Sequence, residues 1–150
     1  MRVARDRGAA WGRSRRRQCA ALPMREHDGE IHVLLITTRG RGRWVIPKGW
    51  AEKGIAAHDL AAREAFEEAG LLGRADAVPI GAYTCSKRMP DGRRATCEVA
   101  VFALAVEAGA EDWPERGQRR TRWMPADEAA ALVSEPGLAA LLLGLARVPA

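Results

Sequence analysis

Alternating apolar and polar positions predict several β-strands along this chain. The first two form a hairpin, in which the apolar segments 18–24 and 31–38 flank the polar turn 27–30. A short strand at 44–46 ends at Pro47, because proline has no backbone N–H to donate to a sheet. Later strands are predicted at 77–83, at 96–106 and at Trp123. Polar loops are predicted at 39–43, 48–54 and 86–94.

Three segments have helical composition instead. Residues 56–69 are rich in alanine, leucine and glutamate, which favour helix, and Gly70 follows where a glycine cap commonly ends one. The apolar positions predicted to form the buried stripe of this helix are Ala62, Ala65, Phe66 and Ala69. Two further helices are predicted at 125–133 and 136–145.

The order of these elements predicts the fold class. Strands come first, then one central helix, then more strands and two helices, with no internal repeat. This order is typical of an α+β fold in which a mixed β-sheet is flanked by helices on both faces. A chain of 150 residues is long enough for one domain with its own core.

The formal net charge of +5 is concentrated in the first 17 residues. That segment carries seven arginines and one aspartate, whereas the rest of the chain has 17 basic and 18 acidic residues. Since residues 1–17 lack an apolar period, we expect a disordered arginine-rich tail before a single domain at 18–150. We interpret the tail as a solubilising extension, with weak electrostatic binding of nucleic acid or an anionic surface as the alternative.

Composition also bears on compartment and on other kinds of site. No apolar stretch approaches the roughly 20 residues of a membrane span, so no membrane partner and a cytoplasmic location are expected. Three cysteines without C-x-x-C spacing indicate free thiols rather than disulfides or a zinc site. The three histidines are scattered and have no partners at ligand spacing.

The central predicted helix carries three carboxylates on one face. Glu64, Glu67 and Glu68 lie at positions i, i+3 and i+4, where like charges repel by a few tenths of a kcal/mol per pair. A bound cation would relieve this repulsion, and carboxylate oxygens are what Mg²⁺ prefers. The plainer interpretation is a solvated helix face, in which Arg63 pairs with Glu67 at i, i+4.

Residues around this helix match a known signature. Gly49, Arg63, Glu64, Glu67, Glu68 and Gly70 occupy, without insertion, their positions in the pattern G-x5-E-x7-R-E-U-x-E-E-x-G-U, where U is a bulky apolar residue. The chain therefore resembles the Nudix hydrolases over roughly residues 18–146. The resemblance implies a Nudix-type α/β/α sandwich, binding of Mg²⁺ or Mn²⁺, and hydrolysis of a nucleoside diphosphate derivative or a related pyrophosphate.

The same resemblance implies roles for individual residues. Glu67 and Glu68 resemble the principal metal ligands, and Glu64 resembles a further ligand or the general base. Gly49 resembles the glycine whose carbonyl coordinates metal, and Arg63 resembles the arginine that holds the glutamates in position.

The chain departs from the signature at one position. The first glutamate of the pattern falls at position 55, where this chain has isoleucine. In the family that glutamate supports the loop or an additional metal ion. Ile55 is expected to pack under the start of the helix, with Glu52 compensating from the loop as the alternative.

The substrate-binding residues are predicted from a second motif. The segment 43–50, RWVIPKGW, is similar to the W-x-x-P-K-G motif of Nudix enzymes that act on diphosphoinositol polyphosphates and dinucleoside polyphosphates. Such substrates favour a basic rim, for which the candidates are Arg41, Arg43, Lys48, Lys87 and Arg88, with ordinary solvated charge as the alternative for all but Lys48. Trp44 is expected in the core, whereas Trp50 either lines the pocket or covers the helix.

Two later acids are candidates for the site. Glu98 lies in an apolar strand on the same face as Ala100 and Phe102, and a downstream glutamate completes the metal site in some Nudix enzymes. Glu115 is a third candidate for the general base beside Glu64 and Glu98. It begins a second basic stretch, which contains Arg116, Arg119, Arg120 and Arg122.

The hypothesis is a Mg²⁺-dependent Nudix hydrolase that cleaves a phosphoanhydride bond, with a phosphate-rich small molecule as its partner. The alternatives are a non-catalytic Nudix-fold binding or sensing module, for which Ile55 is the hint, a hydrolase of another nucleoside diphosphate derivative, and an RNA-binding protein that uses the tail. The sequence does not indicate the oligomeric state.

Overall fold

A mixed eight-stranded β-sheet forms the centre of the structure, a computed structural model that describes residues 16–147. The strands are β1 (Arg16–His27), β2 (Glu30–Thr37), β3 (Trp44–Val45), β4 (Lys48–Trp50), β5 (Leu71–Ala75), β6 (Gly81–Arg88), β7 (Arg94–Gly109) and β8 (Thr121–Pro125). The helices are α1 (Ala57–Ala69), α2 (Ala126–Leu132) and α3 (Pro136–Ala146).

Strands β1 and β7 run parallel to each other, and all other strand pairs are antiparallel. On its other edge β1 pairs with β2 and with β4, which brings Gly49 opposite Cys19. On its other edge β7 pairs first with β6 and then with β5. Strand β4 therefore lies on one side of the β1–β7 pair, and β6 lies on the other. Polar loops adjoin both of these strands.

Helices cover both faces of the sheet. Helix α1 packs on one face against apolar side chains that include Ala21, Phe102 and Leu104. Helices α2 and α3 pack on the other face against a core that includes Leu22, Val99 and Leu138. The α+β fold with helices on both faces of a mixed sheet is thus confirmed, with the layer order α/β/α.

Several predicted boundaries were wrong. Residues 48–50, predicted as loop, form β4, and β5 was not predicted at all. The strand predicted at 77–83 begins only at Gly81 and continues to Arg88, so the hairpin between β6 and β7 is tighter than expected. These errors share a cause, because strand pairing depends on partners distant in the chain.

The start of the domain also differs from the prediction. Arg16 and Arg17, assigned to the tail, belong to β1 and pair with Cys97 and Glu98 of β7. The remainder of the predicted tail lies outside the described residues. Within residues 16–147, no helix is long and apolar enough to cross a membrane.

Candidate active site

Helix α1 carries the glutamates, and one of them faces inward. The buried positions of α1 are Leu60, Ala61, Ala65, Glu68 and Ala69. The predicted stripe was therefore only partly right, because Ala62 and Phe66 are half-buried while Glu68 takes a buried position. At the end of the helix Gly70 has φ of 69° and its N–H donates to the carbonyls of Ala65 and Phe66, as predicted for a glycine cap.

Glu64 and Glu68 form a carboxyl pair at the centre of the site. They share a side-chain hydrogen bond, and Glu68 is only 8% exposed. Burial, followed by the hydrogen bond with Glu64, raises the pKa of Glu68 to about 8. Burial also raises the pKa of Glu64. Two adjacent carboxyls repel each other when both are ionised, so a cation bound between them would stabilise their charged forms.

The backbone of β4 lies directly against this pair. A Cβ atom placed on Gly49 would come within 2.5 Å of the Glu64 carboxyl carbon. Only glycine therefore lets the strand approach this carboxyl so closely. The structure thus brings together Gly49, Glu64 and Glu68, three of the predicted metal-site residues.

Arg63 lies beside Glu64 and Glu67. Its Nε is 3.9 Å from Glu64 Oε2 and 3.8 Å from Glu67 Oε2, and its Nη2 donates to Glu52 Oε2. The hydrogen bond to Glu52 raises the pKa of Arg63. The expectation that Ile55 packs under the helix was wrong, because its side chain is 37% exposed.

A loop between β7 and β8 adds Arg119, a member of the second basic stretch to which the sequence assigned no individual role. Arg119 Nε donates to Glu115 Oε1 at 2.8 Å, and Nη1 donates to the Thr37 carbonyl at 3.0 Å. Its Nη2 lies 3.9 Å from Glu68 Oε1. The loop is tied to α1, since the Glu115 N–H donates to the Glu67 carbonyl at 3.0 Å. The i, i+4 spacing of Glu115 and Arg119 was the one signal of this pair in the sequence.

A cavity of about 320 Å³ opens between Glu68 and four cationic side chains. Its lining residues are Thr38, Arg39, Gly40, Val45, Ile46, Lys48, Glu68, Lys87 and Arg119. Burial, and after it the charge of Lys87, lowers the pKa of Lys48. Of the five candidates for the basic rim, Lys48 and Lys87 line this cavity. The other three are exposed and are not part of its lining: Arg41, Arg43 and Arg88.

Glu98 is not part of the lining of the cavity that contains Glu68. It is on the same sheet face as Phe102 and α1, as the alternation predicted, but it lines a separate cavity of about 220 Å³ together with Glu52 and Ile55. Within residues 16–147, no group of three or more histidine, cysteine, aspartate or glutamate side chains has the spacing to hold a metal ion. Glu67, 38% exposed, is instead turned toward Arg63.

The tryptophans of the motif differ in exposure. Trp44 is half-buried and packs against the core, with the Arg120 guanidinium 5.5 Å from its ring centre. Trp50 is 39% exposed, and Lys87 Nζ lies 6.0 Å from its ring centre. In β4, Trp50 and Lys48 are two residues apart and so point to the same side of the strand.

The chain is similar to known proteins over most of its length. The family model of the NUDIX domain matches residues 14–142. The chain is 36% identical over 106 residues to "Nudix hydrolase 12, mitochondrial" of Arabidopsis thaliana, a match that covers 69% of this chain and 52% of the relative. It is 27% identical over 116 residues to diphosphoinositol polyphosphate phosphohydrolase 3-alpha of Mus musculus, covering 76% of this chain and 66% of the relative.

The fold is also similar to a solved structure. A binary complex of the Ap4A hydrolase of C. elegans superposes with a TM-score of 0.63 at 18% sequence identity, covering 85% of this chain and 93% of the other. This similarity concerns the fold. The chain spans about half the length of the first Arabidopsis relatives it matches.

Proposed function

The chain belongs to the Nudix hydrolase family, and from that premise we propose that it is a Mg²⁺-dependent pyrophosphohydrolase acting on a phosphate-rich small molecule. The observation that carries the proposal is the shared cavity of Glu68 with Lys48, Lys87 and Arg119. Hydrolysis of a phosphoanhydride needs carboxylates for a hard cation and cationic side chains for phosphate oxygens. This cavity offers both.

The donor set fits a divalent metal ion, which Nudix hydrolases generally use. Glu64 and Glu68 would supply carboxylate oxygens and Gly49 a backbone carbonyl, all of them the hard ligands that Mg²⁺ prefers, with Mn²⁺ as the alternative. Glu67, which lies beside Arg63, would have to turn from it to join them. The adjacent carboxyls of Glu64 and Glu68, with Gly49 against Glu64, mark the place where a cation is favoured. When bound, the metal ion neutralises phosphate oxygens and lowers the pKa of the attacking water.

The side chains of the cavity bind and orient the substrate. Lys48, Lys87, Arg39 and Arg119 contact phosphate oxygens, and the planar fork of an arginine suits two oxygens at once. The water oxygen forms a bond to phosphorus while the bond from phosphorus to the bridging oxygen breaks. The proton of the water passes to a carboxylate, and the leaving phosphate departs with the electron pair of the broken bond.

We assign the general base to Glu64. It lies against Gly49 and Glu68, at the centre of the site. Glu115 is instead hydrogen-bonded to Arg119 at 2.8 Å, and Glu98 lines the other cavity. Arg41 and Arg43 are exposed, and we assign them the role of attracting an anionic substrate from a distance.

Two substrate classes suit this cavity, diphosphoinositol polyphosphates and dinucleoside polyphosphates. The name of the mouse relative supports the first class. Exposed Trp50 favours the second, because an aromatic ring beside phosphate-binding Lys87 is a stacking surface for a nucleobase. A non-catalytic binding module is less well supported, since all three carboxylates of the signature are retained.

The experiment is a phosphate-release screen with three substrate panels: inositol pyrophosphates, dinucleoside polyphosphates and nucleotide sugars. We expect turnover within one of the first two panels, and its loss when EDTA removes the divalent metal. Binding without turnover in every panel, in the presence of Mg²⁺ or Mn²⁺, would support the non-catalytic module instead.

Three further predictions belong to the whole protein. A cytoplasmic location stays a prediction, and the name of the Arabidopsis relative points to the mitochondrion. The solubilising role predicted for residues 1–17 is tested by deleting residues 1–15, because Arg16 and Arg17 belong to β1. Unchanged nucleic-acid affinity and salt dependence after the deletion would rule out the RNA-binding alternative.

A further inference from the structure

Arg63 makes its direct hydrogen bond outside the glutamate helix. Its Nη2 donates to Glu52, whereas its Nε is buried and has no hydrogen-bond partner among the residues 16–147. The distances of 3.9 Å to Glu64 and 3.8 Å to Glu67 are those of ion pairs without a hydrogen bond. The position of the guanidinium between these two glutamates is therefore set by Glu52.

Glu52 is itself held by the loop that follows β4. The Ala51 N–H donates to the Arg17 carbonyl at 2.9 Å, which fixes the residue before Glu52 to β1. The Ile55 N–H donates to the Glu52 carbonyl at 3.2 Å, which closes a turn in which Gly54 has φ of 84°. Glu52 thus presents its carboxylate from a loop fixed at both ends.

The ion pair of Glu52 and Arg63 connects the two halves of the site. Glu52 lies three residues after Gly49, and Arg63 lies next to Glu64 in sequence. Since Gly49 and the Glu64 carboxyl are in direct contact, a shift of the loop relative to α1 would separate them. The ion pair opposes that shift.

Ile55 makes no comparable connection. Its side chain is 37% exposed and faces the cavity that Glu98 lines. An isoleucine has no polar atom with which to hold Arg63. The position that departs from the family signature therefore supports the loop only through its backbone N–H, and its side chain takes no part in holding Arg63.

We propose that Glu52 is a positioning residue that holds Arg63 and takes over, from three positions earlier, the loop-supporting role that the Nudix signature gives to a glutamate at position 55. The proposal rests on the proposed function of the Gly49 and α1 site. It implies that Ile55 leaves no gap in that site. Exposed ion pairs contribute little to global stability, so the effect of Glu52 lies in geometry.

The test compares Glu52→Ala and Glu52→Asp with the wild type, and uses Asp59→Asn as a matched control. Asp59 is also an exposed acid near the start of α1, but its ion pair is with His58. We expect Glu52→Ala to weaken Mg²⁺ binding and kcat by about 10- to 100-fold, the range for residues that orient metal ligands. Glu52→Asp should recover part of both losses, and Asp59→Asn should change neither.

A second readout needs neither metal nor substrate. In the metal-free full chain, amide hydrogen exchange over residues 51–56 should be faster in Glu52→Ala and unchanged in Asp59→Asn, with an unchanged melting temperature in both. Unchanged exchange in Glu52→Ala would overturn the proposal even if the enzyme proves active. Faster exchange in a protein that hydrolyses nothing would support the role of Glu52 and count against the proposed function alone.

The remaining variant is Ile55→Glu, which restores the signature. Because Glu52 already supports the loop, we expect this variant to leave kcat and Mg²⁺ affinity within about twofold of the wild type. A gain of tenfold or more would show that position 55 is a real gap, and would also overturn the proposal.

Discussion

The guanidinium of Arg119 lies 3.9 Å from the buried carboxyl of Glu68. Arg119 is itself held by Glu115 at 2.8 Å and by the Thr37 carbonyl at 3.0 Å. It therefore connects the carboxyl pair of α1 with the cationic cavity.

Removing Arg119 should weaken phosphate binding. Arg119→Ala is expected to raise KM by about 10-fold or more, because a charge-assisted hydrogen bond contributes about 1.5–3 kcal/mol. Arg119→Lys keeps the charge but loses the fork, so it should recover only part of the loss. Steady-state kinetics measure both variants. Exposed Arg122 provides the matched control, and an Arg119→Ala enzyme with unchanged KM would contradict the role of Arg119.

A side chain at Gly49 should displace Glu64. The Cβ of Gly49→Ala would meet the Glu64 carboxyl carbon at 2.5 Å, and the carboxyl at the end of that flexible side chain has to move. We expect lower Mg²⁺ affinity and lower kcat with little change in melting temperature. Calorimetric titration with Mg²⁺ measures the first effect.

Gly144→Ala is the control for that substitution, because a Cβ at Gly144 meets no atom within 4 Å. If Gly49→Ala and Gly144→Ala bind Mg²⁺ equally well, the contact of Gly49 with Glu64 has no role in the site.

The buried cysteines should react slowly with alkylating reagents. Burial, and after it the neighbouring Cys97, raises the pKa of the Cys85 thiol to about 11. Only the thiolate is nucleophilic, so the alkylation rate at Cys85 should rise about tenfold per pH unit from pH 8 toward 11. Mass spectrometry after timed iodoacetamide treatment measures this rate. Rapid alkylation at pH 8 in the folded protein would contradict the burial of this thiol.

The same shift affects stability in alkali. The folded protein keeps the Cys85 proton up to about pH 11, whereas an unshifted thiol releases it near 9.0. The folded state therefore binds more protons in this window, and the free energy of unfolding should fall as pH rises through it. Cys85→Ser should show a smaller fall in a comparison of denaturant midpoints.

Trp50 should distinguish the two substrate classes. If a nucleobase stacks on its exposed ring, Trp50→Ala should raise KM for a dinucleoside polyphosphate by about 5- to 100-fold, since stacking contributes about 1–3 kcal/mol per base. KM for an inositol pyrophosphate should not change, and Trp50→Phe should retain most of the affinity. Equal effects on both substrates would rule out base stacking at this position.

The glutamate helix was predictable because its signals are local. The i, i+3, i+4 spacing of the glutamates and the position of Gly70 are properties of neighbouring residues. Arg119 was not predictable in the same way, because its partner Thr37 is 82 positions away in the chain. The exposure of Ile55 was missed for a related reason, since it depends on an open cavity between the loop and β7.

The strands show the same limit. Strand β4 follows Pro47 directly, and β5 contains a bulge between Leu72 and Gly73, so neither has a clear alternating pattern. Both exist because β1 and β7 present edges for pairing. The positions of Gly49 and of the loop after it follow from that pairing.

The central claim is that a divalent cation held by the α1 carboxylates supports phosphoanhydride hydrolysis. Its most direct test is the initial rate of hydrolysis as a function of Mg²⁺ concentration, for the wild type, Glu68→Gln and the exposed control Glu128→Gln. We predict a saturable Mg²⁺ dependence of the rate in the wild type and the control. In Glu68→Gln we predict that the rate falls by more than about 100-fold, because replacing even an outer-shell partner of a metal site lowers metal affinity or activity by about 10- to 100-fold. A rate independent of Mg²⁺, or equal rates for Glu68→Gln and the wild type, would contradict the claim.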